Sequence, residues 1–110
     1  MVNKNSILKE LIDASNEALK KKDYLKAKNI LKNIILIKNN IFEIHNNLGI
    51  VFLNINELEN SINHFEKAIK LNPEFSVSYF NLGVVYEKLN DSKNATKNYL
   101  KVIELDKKNF

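Results

Sequence analysis

The chain contains no cysteine, which excludes disulfides and thiolate chemistry and leaves the redox compartment open. It also contains no arginine and no tryptophan, so all 17 basic residues are lysines. Without arginine there is no planar fork for bidentate pairing to phosphate or guanine. No apolar run approaches the roughly 18 residues of a membrane span; none exceeds the length of Ile34 to Ile37. The N-terminus lacks the apolar stretch and small-residue site of a secretory leader, and a cytoplasmic location is the expectation. Proline occurs once, at Pro73, and glycine twice, at Gly49 and Gly83.

The two glycines each follow a leucine, and the pairs Leu48-Gly49 and Leu82-Gly83 stand 34 residues apart. Around them the same pattern recurs: His45, Leu48, Gly49, Phe52, then Tyr79, Leu82, Gly83, Tyr86. A fixed period of this size is the mark of an array of helix pairs. The 110 residues are enough for one domain with its own core. The net charge of +4 is modest but uneven: residues 1–41 hold nine lysines against four acids, and residues 42–75 hold two against five. The densest basic cluster is Lys20, Lys21, Lys22, Lys26, Lys28 and Lys32. Abundant asparagine, isoleucine and lysine fit AT-rich coding.

Apolar residues recur at helical spacing almost throughout, and strand-type alternation is never sustained. Stop and start signals divide the chain into six helices, at about 4–21, 24–38, 41–54, 57–71, 74–89 and 92–106. Asp23 can cap the second helix through its carboxylate. Asn56 and Glu59 resemble a capping box, and Pro73 is placed in the first turn of the fifth helix. The other breaks fall at Asn39-Asn40 and Asn90-Asp91-Ser92. One period upstream of the first Leu-Gly pair stands Ala14-Ser15, a degenerate third copy. In the second helices Ala27, Ser61 and Ala95 align, followed four residues on by Leu31, Phe65 and Tyr99.

The code is steric. Gly49 and Gly83, with Ala27, Ser61 and Ala95, let the helices of a pair approach closely, and the large residues are expected to fill gaps between neighbouring pairs. A helical glycine costs about 1 kcal/mol relative to alanine, so packing must select it. These residues together resemble the tetratricopeptide repeat family. The resemblance covers nearly the whole chain as three repeats, at about 8–41, 42–75 and 76–109, within a single domain 1–110. It implies an all-α, right-handed solenoid of three helix-turn-helix units, with no clear C-terminal capping helix. It also implies a non-catalytic module that binds a peptide or partner protein in its concave groove.

Enzyme chemistry finds no footing in the residues. His45 and His64 lie 19 residues apart without a set of carboxylates nearby, and no glycine loop is built to cradle phosphate. No catalytic residue, metal or cofactor is expected. The N-terminal lysines offer an electrostatic route to nucleic acid, a weaker alternative because charges on an outward helix face are usually only solvated.

In this family the concave face is formed by the first helix of each repeat. The resemblance therefore places Lys9, Ile12, Asp13, Asn16, Leu19 and Lys20 there, with Glu43, Asn46, Asn47, Ile50, Leu53 and Asn54. From the third repeat come Val77, Phe80, Asn81, Val84, Glu87 and Lys88. Asn16, Asn47 and Asn81 are the expected backbone contacts, since a carboxamide donates and accepts at once. Ile50, Leu53, Phe80 and Val84 supply apolar contact. The basic clamp by which some relatives hold a terminal carboxylate is missing, with Ile12, Val77 and Asn81 at its places. The alternative is self-assembly, by dimerisation or end-to-end stacking, through Tyr99, Val102 and Ile103 on the last helix.

Overall fold

A computed structural model describes residues 3–108. The ends of the expected domain and the last residue of the expected third repeat, Asn109, lie outside the described residues. Six helices follow one another: α1 (Lys4–Lys20), α2 (Tyr24–Ile37), α3 (Phe42–Asn54), α4 (Leu58–Leu71), α5 (Ser76–Lys88) and α6 (Ser92–Lys108). No strand occurs among the described residues, and no helix among them is long and apolar enough to cross a membrane.

Each helix pair turns in the same way. Lys22, Asn56 and Asn90, spaced by the period, adopt left-handed backbone at φ 59°, 62° and 58°. Around each, paired amide bonds close the preceding helix: Asp23 N–H to Ala18 C=O, Glu57 to Phe52 and Asp91 to Tyr86, at 2.8–2.9 Å. This satisfies the orphan carbonyls of the helix end. Asp23 then caps α2 through the Lys26 amide, and Asp91 accepts from the Asn94 amide at 3.1 Å.

Three local expectations are corrected. Asn56 is the left-handed turn residue rather than a cap, and Glu57 at the α4 N-cap bonds no backbone amide through its side chain, which accepts instead from Asn60 Nδ2 at 3.4 Å. Its longer side chain does not fold back to the amides as an aspartate does. Pro73 lies before α5 rather than in its first turn. The Asn72 side chain accepts from the Glu74 amide and the Phe75 amide bonds to the Asn72 carbonyl, making a tight turn that delays the helix to Ser76. The last helix runs on to Lys108.

The pairs stack through two apolar clusters. Ala18, Ala27, Leu31, Ile34, Ile44, Leu48, Val51 and Phe52 form one where α1, α2 and α3 meet, and Phe65, Leu82 and Val85 form a second between α4 and α5. At the junction of the second and third pairs, Phe42 meets Phe75 edge-on with ring centroids 4.9 Å apart. Among alternate helices the close association is α3 with α5. The first helices α3 and α5 therefore draw together, while the second helices α4 and α6 approach less closely, which turns this end of the stack toward α3 and α5. The Phe65 ring lies over Gly49 of its own pair and also packs with Leu82 and Val85 of the next, as the sequence led us to expect, whereas Tyr99 lies over Gly83 of its own pair and against Phe80.

Candidate binding faces

The inner face is built from the sides of α1, α3 and α5 that the core leaves unused. Asn47, Ile50, Leu53, Asn81 and Val84 are half-buried there, Phe80 is 51% exposed and Asn16 is exposed. Asn46, also expected on this face, is buried at 4% exposure. Its Oδ1 accepts from the Ser78 hydroxyl at 2.8 Å and from the Asn81 amide at 3.3 Å, tying α3 to α5. A buried carboxamide needs such partners, and Ser78, itself fully buried, needs the same bond. Asn46 is thus a cross-link between helices, and Asn81 keeps only part of its hydrogen-bonding capacity. Asp13 pairs with Lys9 at 3.2 Å, an exposed ion pair of small energetic weight.

At the C-terminal end, Tyr99 and Val102 are half-buried and Ile103 is 52% exposed. Phe80 packs on Tyr99 at 5.6 Å between ring centroids. One period earlier, Asn46 and Phe65 hold the places of Phe80 and Tyr99 and are buried by the next pair.

Sequence spacing separated the two histidines, and the fold brings them together. His45 Nδ1 lies 3.2 Å from His64 Nδ1, and the rings stack at 5.5 Å between centroids. The Asn39 carbonyl, 2.8 Å from His45 Nε2, can only accept. His45 therefore carries a proton on Nε2 and donates it to that carbonyl, leaving Nδ1 to face His64. Burial first, then Lys67, His45 and Lys32, holds the His64 pKa down at about 4. The signal lay in the period: Tyr79 and Asn98, one repeat on, also line one groove together. Among the described residues no group of three or more metal-ligating side chains gathers.

Charge divides by helix type, a pattern hidden when the sequence is cut into thirds. The first helices carry four lysines against five acids, whereas the second helices carry ten lysines against four. The inner face is close to neutral and the outer face is basic.

Two sequence models described as tetratricopeptide repeat match residues 42–75 and 64–97, together just over half of the chain. The chain belongs to the tetratricopeptide repeat family. Solved structures of the same architecture superpose closely on this repeat array. A MamA RS-1 double mutant shares 24% identity over 93% of this chain and 57% of its own, with a TM-score of 0.88. MamA from Desulfovibrio magneticus RS-1 shares 26% over 89% and 55%, at 0.86. A mutant of the Thermobaculum terrenum O-GlcNAc transferase shares 18% over 96% and 20%, at 0.88. The tetratricopeptide chain thus spans a little over half the length of the MamA structures. No curated protein sequence matches it.

Proposed function

We propose that the chain is a non-catalytic interaction module, a single domain of three repeats that holds an extended segment of a partner protein against its inner face. The observation that carries this reading is the row of half-buried Asn47, Asn81 and Val84 on α3 and α5, flanked by Ile50 and Leu53, which pack partly on the Phe65–Leu82–Val85 cluster and stay partly open. Among the described residues the Asn47 carboxamide has no partner, while Ile50, Leu53 and Val84 present apolar surface beside it. Carboxamides beside apolar pockets suit main-chain pairing with side-chain anchoring. The near-neutral balance of α1, α3 and α5 favours an uncharged or mixed segment over a polyanion. Capturing the partner from the source organism and replacing Asn47 and Asn81 together by alanine tests this. Loss of partner affinity by about tenfold is expected; unchanged affinity removes the reading.

A second reading, self-assembly through Tyr99, Val102 and Ile103, is favoured by the exposure of Ile103 and Phe80. End-to-end stacking finds no support, because α1 places exposed Glu10 and Glu17 where α5 buries Ser78 and Val85. Stacking would bury two carboxylates against apolar rings. Self-assembly on this reading pairs two C-terminal ends. Light scattering of the chain and of Ile103→Asp decides it: a dimer lost on substitution supports the pairing, and a monomer at high concentration ends it.

A further inference from the structure

The outer side carries a recess between α2 and α4 that the inner-face reading leaves unused. Two adjoining cavities share Ile35; Leu36 and His64 line one, and Lys67, Lys70 and Leu71 line the other, with Lys32 on the first rim. Leu36 is 84% exposed and Leu71 43%, although each sits on a helix with a well-packed inner side. No carboxylate lines either cavity. His64, at the floor of one cavity, is held neutral by burial first and then by Lys67, His45 and Lys32.

We propose that this recess is a second docking site, which takes an acidic amphipathic segment of a partner protein. An apolar side chain of the segment enters beside Ile35 and Leu36, and flanking carboxylates meet Lys32, Lys67 and Lys70. Charge complementarity selects the occupant: three lysines border an apolar floor that no carboxylate lines. A bare polyanion would leave Leu36 and Leu71 idle. A flat lipid surface cannot follow a recess between two helices.

The next repeat provides an internal comparison. One period on, Glu66 stands at the place of Lys32, Lys70 at that of Leu36 and Glu104 at that of Lys70. The corresponding groove between α4 and α6 has therefore lost both the exposed leucine and two of the three positive charges. The site belongs to the first groove alone and lies on the opposite side of the stack from Asn47 and Val84, so two segments can be held at once.

A display library of short random peptides, selected on the whole chain, tests this without assuming a sequence. Enriched peptides are expected to combine carboxylates with a large apolar residue. Leu36→Glu, and separately Lys67→Glu with Lys70→Glu, should each weaken their binding about tenfold or more, with the helical circular dichroism unchanged. Asn47→Ala should leave it intact. The His64 ring resonances should also shift when peptide is bound, because that ring lines the cavity the apolar side chain enters. The proposal is overturned if no enriched peptide depends on Leu36, or if those that do lack acids. Equal displacement by a single-stranded oligonucleotide or a phosphatidylserine vesicle overturns it too, as does a dimer that Leu36→Glu dissolves.

Discussion

The Phe65 ring occupies the space that a side chain on Gly49 would need. A Cβ there would lie within 2.7 Å of three of its ring carbons, and the ring is fully buried with nowhere to retreat. Gly49→Ala should therefore destabilise the fold by about 1–3 kcal/mol. Helix propensity alone predicts the opposite sign, a gain of about 1 kcal/mol. Urea unfolding midpoints distinguish the two. Gly83 faces the same overlap with Tyr99, within 2.6 Å of three ring carbons, but Tyr99 is only half-buried and can swing aside. Gly83→Ala should cost measurably less than Gly49→Ala. The first repeat shows the compensated form, with buried Ser15 and Leu31 at these places. Adding Phe65→Leu to Gly49→Ala should recover part of the loss.

Lys22 pays for a left-handed backbone that asparagine adopts more readily, at the same place as Asn56 and Asn90. Lys22→Asn should raise stability by about 0.5–1 kcal/mol, and Asn56→Lys should lower it by a similar amount. Thermal melts of the two variants should move in opposite directions.

His64 gives the fold a pH dependence with a definite sign. Its pKa falls from 6.5 to about 4 on folding, so between those values the unfolded chain binds more protons. Stability then rises with pH across that window and is lost as pH falls from 6.5 toward 4. The ring is only half-buried, and solvent screening reduces the full value to about 1–2 kcal/mol. His64→Asn, which copies Asn98 of the next repeat, should flatten the dependence of the melting temperature between pH 6.5 and 4.5.

Neighbouring asparagines on α3 should respond in opposite ways. Asn46→Ala leaves the buried Ser78 hydroxyl unpaired and should cost about 1–3 kcal/mol. Asn47→Ala, on the open inner face, should change stability by less than about 0.5 kcal/mol. Chemical denaturation of both variants checks the assignment of one to packing and the other to binding.

The period, the helix pairs and their breaks were legible because they rest on local chemistry: apolar spacing, the Leu-Gly pairs and turn residues 34 apart. What escaped depended on three-dimensional register. Asn46 and Asn47 are indistinguishable as residue types, and only the approach of Ser78 separates them. The His45–His64 contact needs the crossing of α3 and α4, which spacing of 19 residues does not disclose. The outward balance of lysine appears only once charges are grouped by helix rather than by thirds of the chain. Glu57 and Pro73 show a finer limit, since one carbon of side-chain length and one Asx turn moved a cap and a helix start.

The most direct test of the central claim is amide-resonance mapping of the isotope-labelled chain titrated with the binding segment of its captured partner. The account predicts perturbations centred on Asn47, Ile50, Asn81 and Val84, abolished by Asn47→Ala with Asn81→Ala. Perturbations confined to Tyr99, Val102 and Ile103, with the inner face silent, would contradict it.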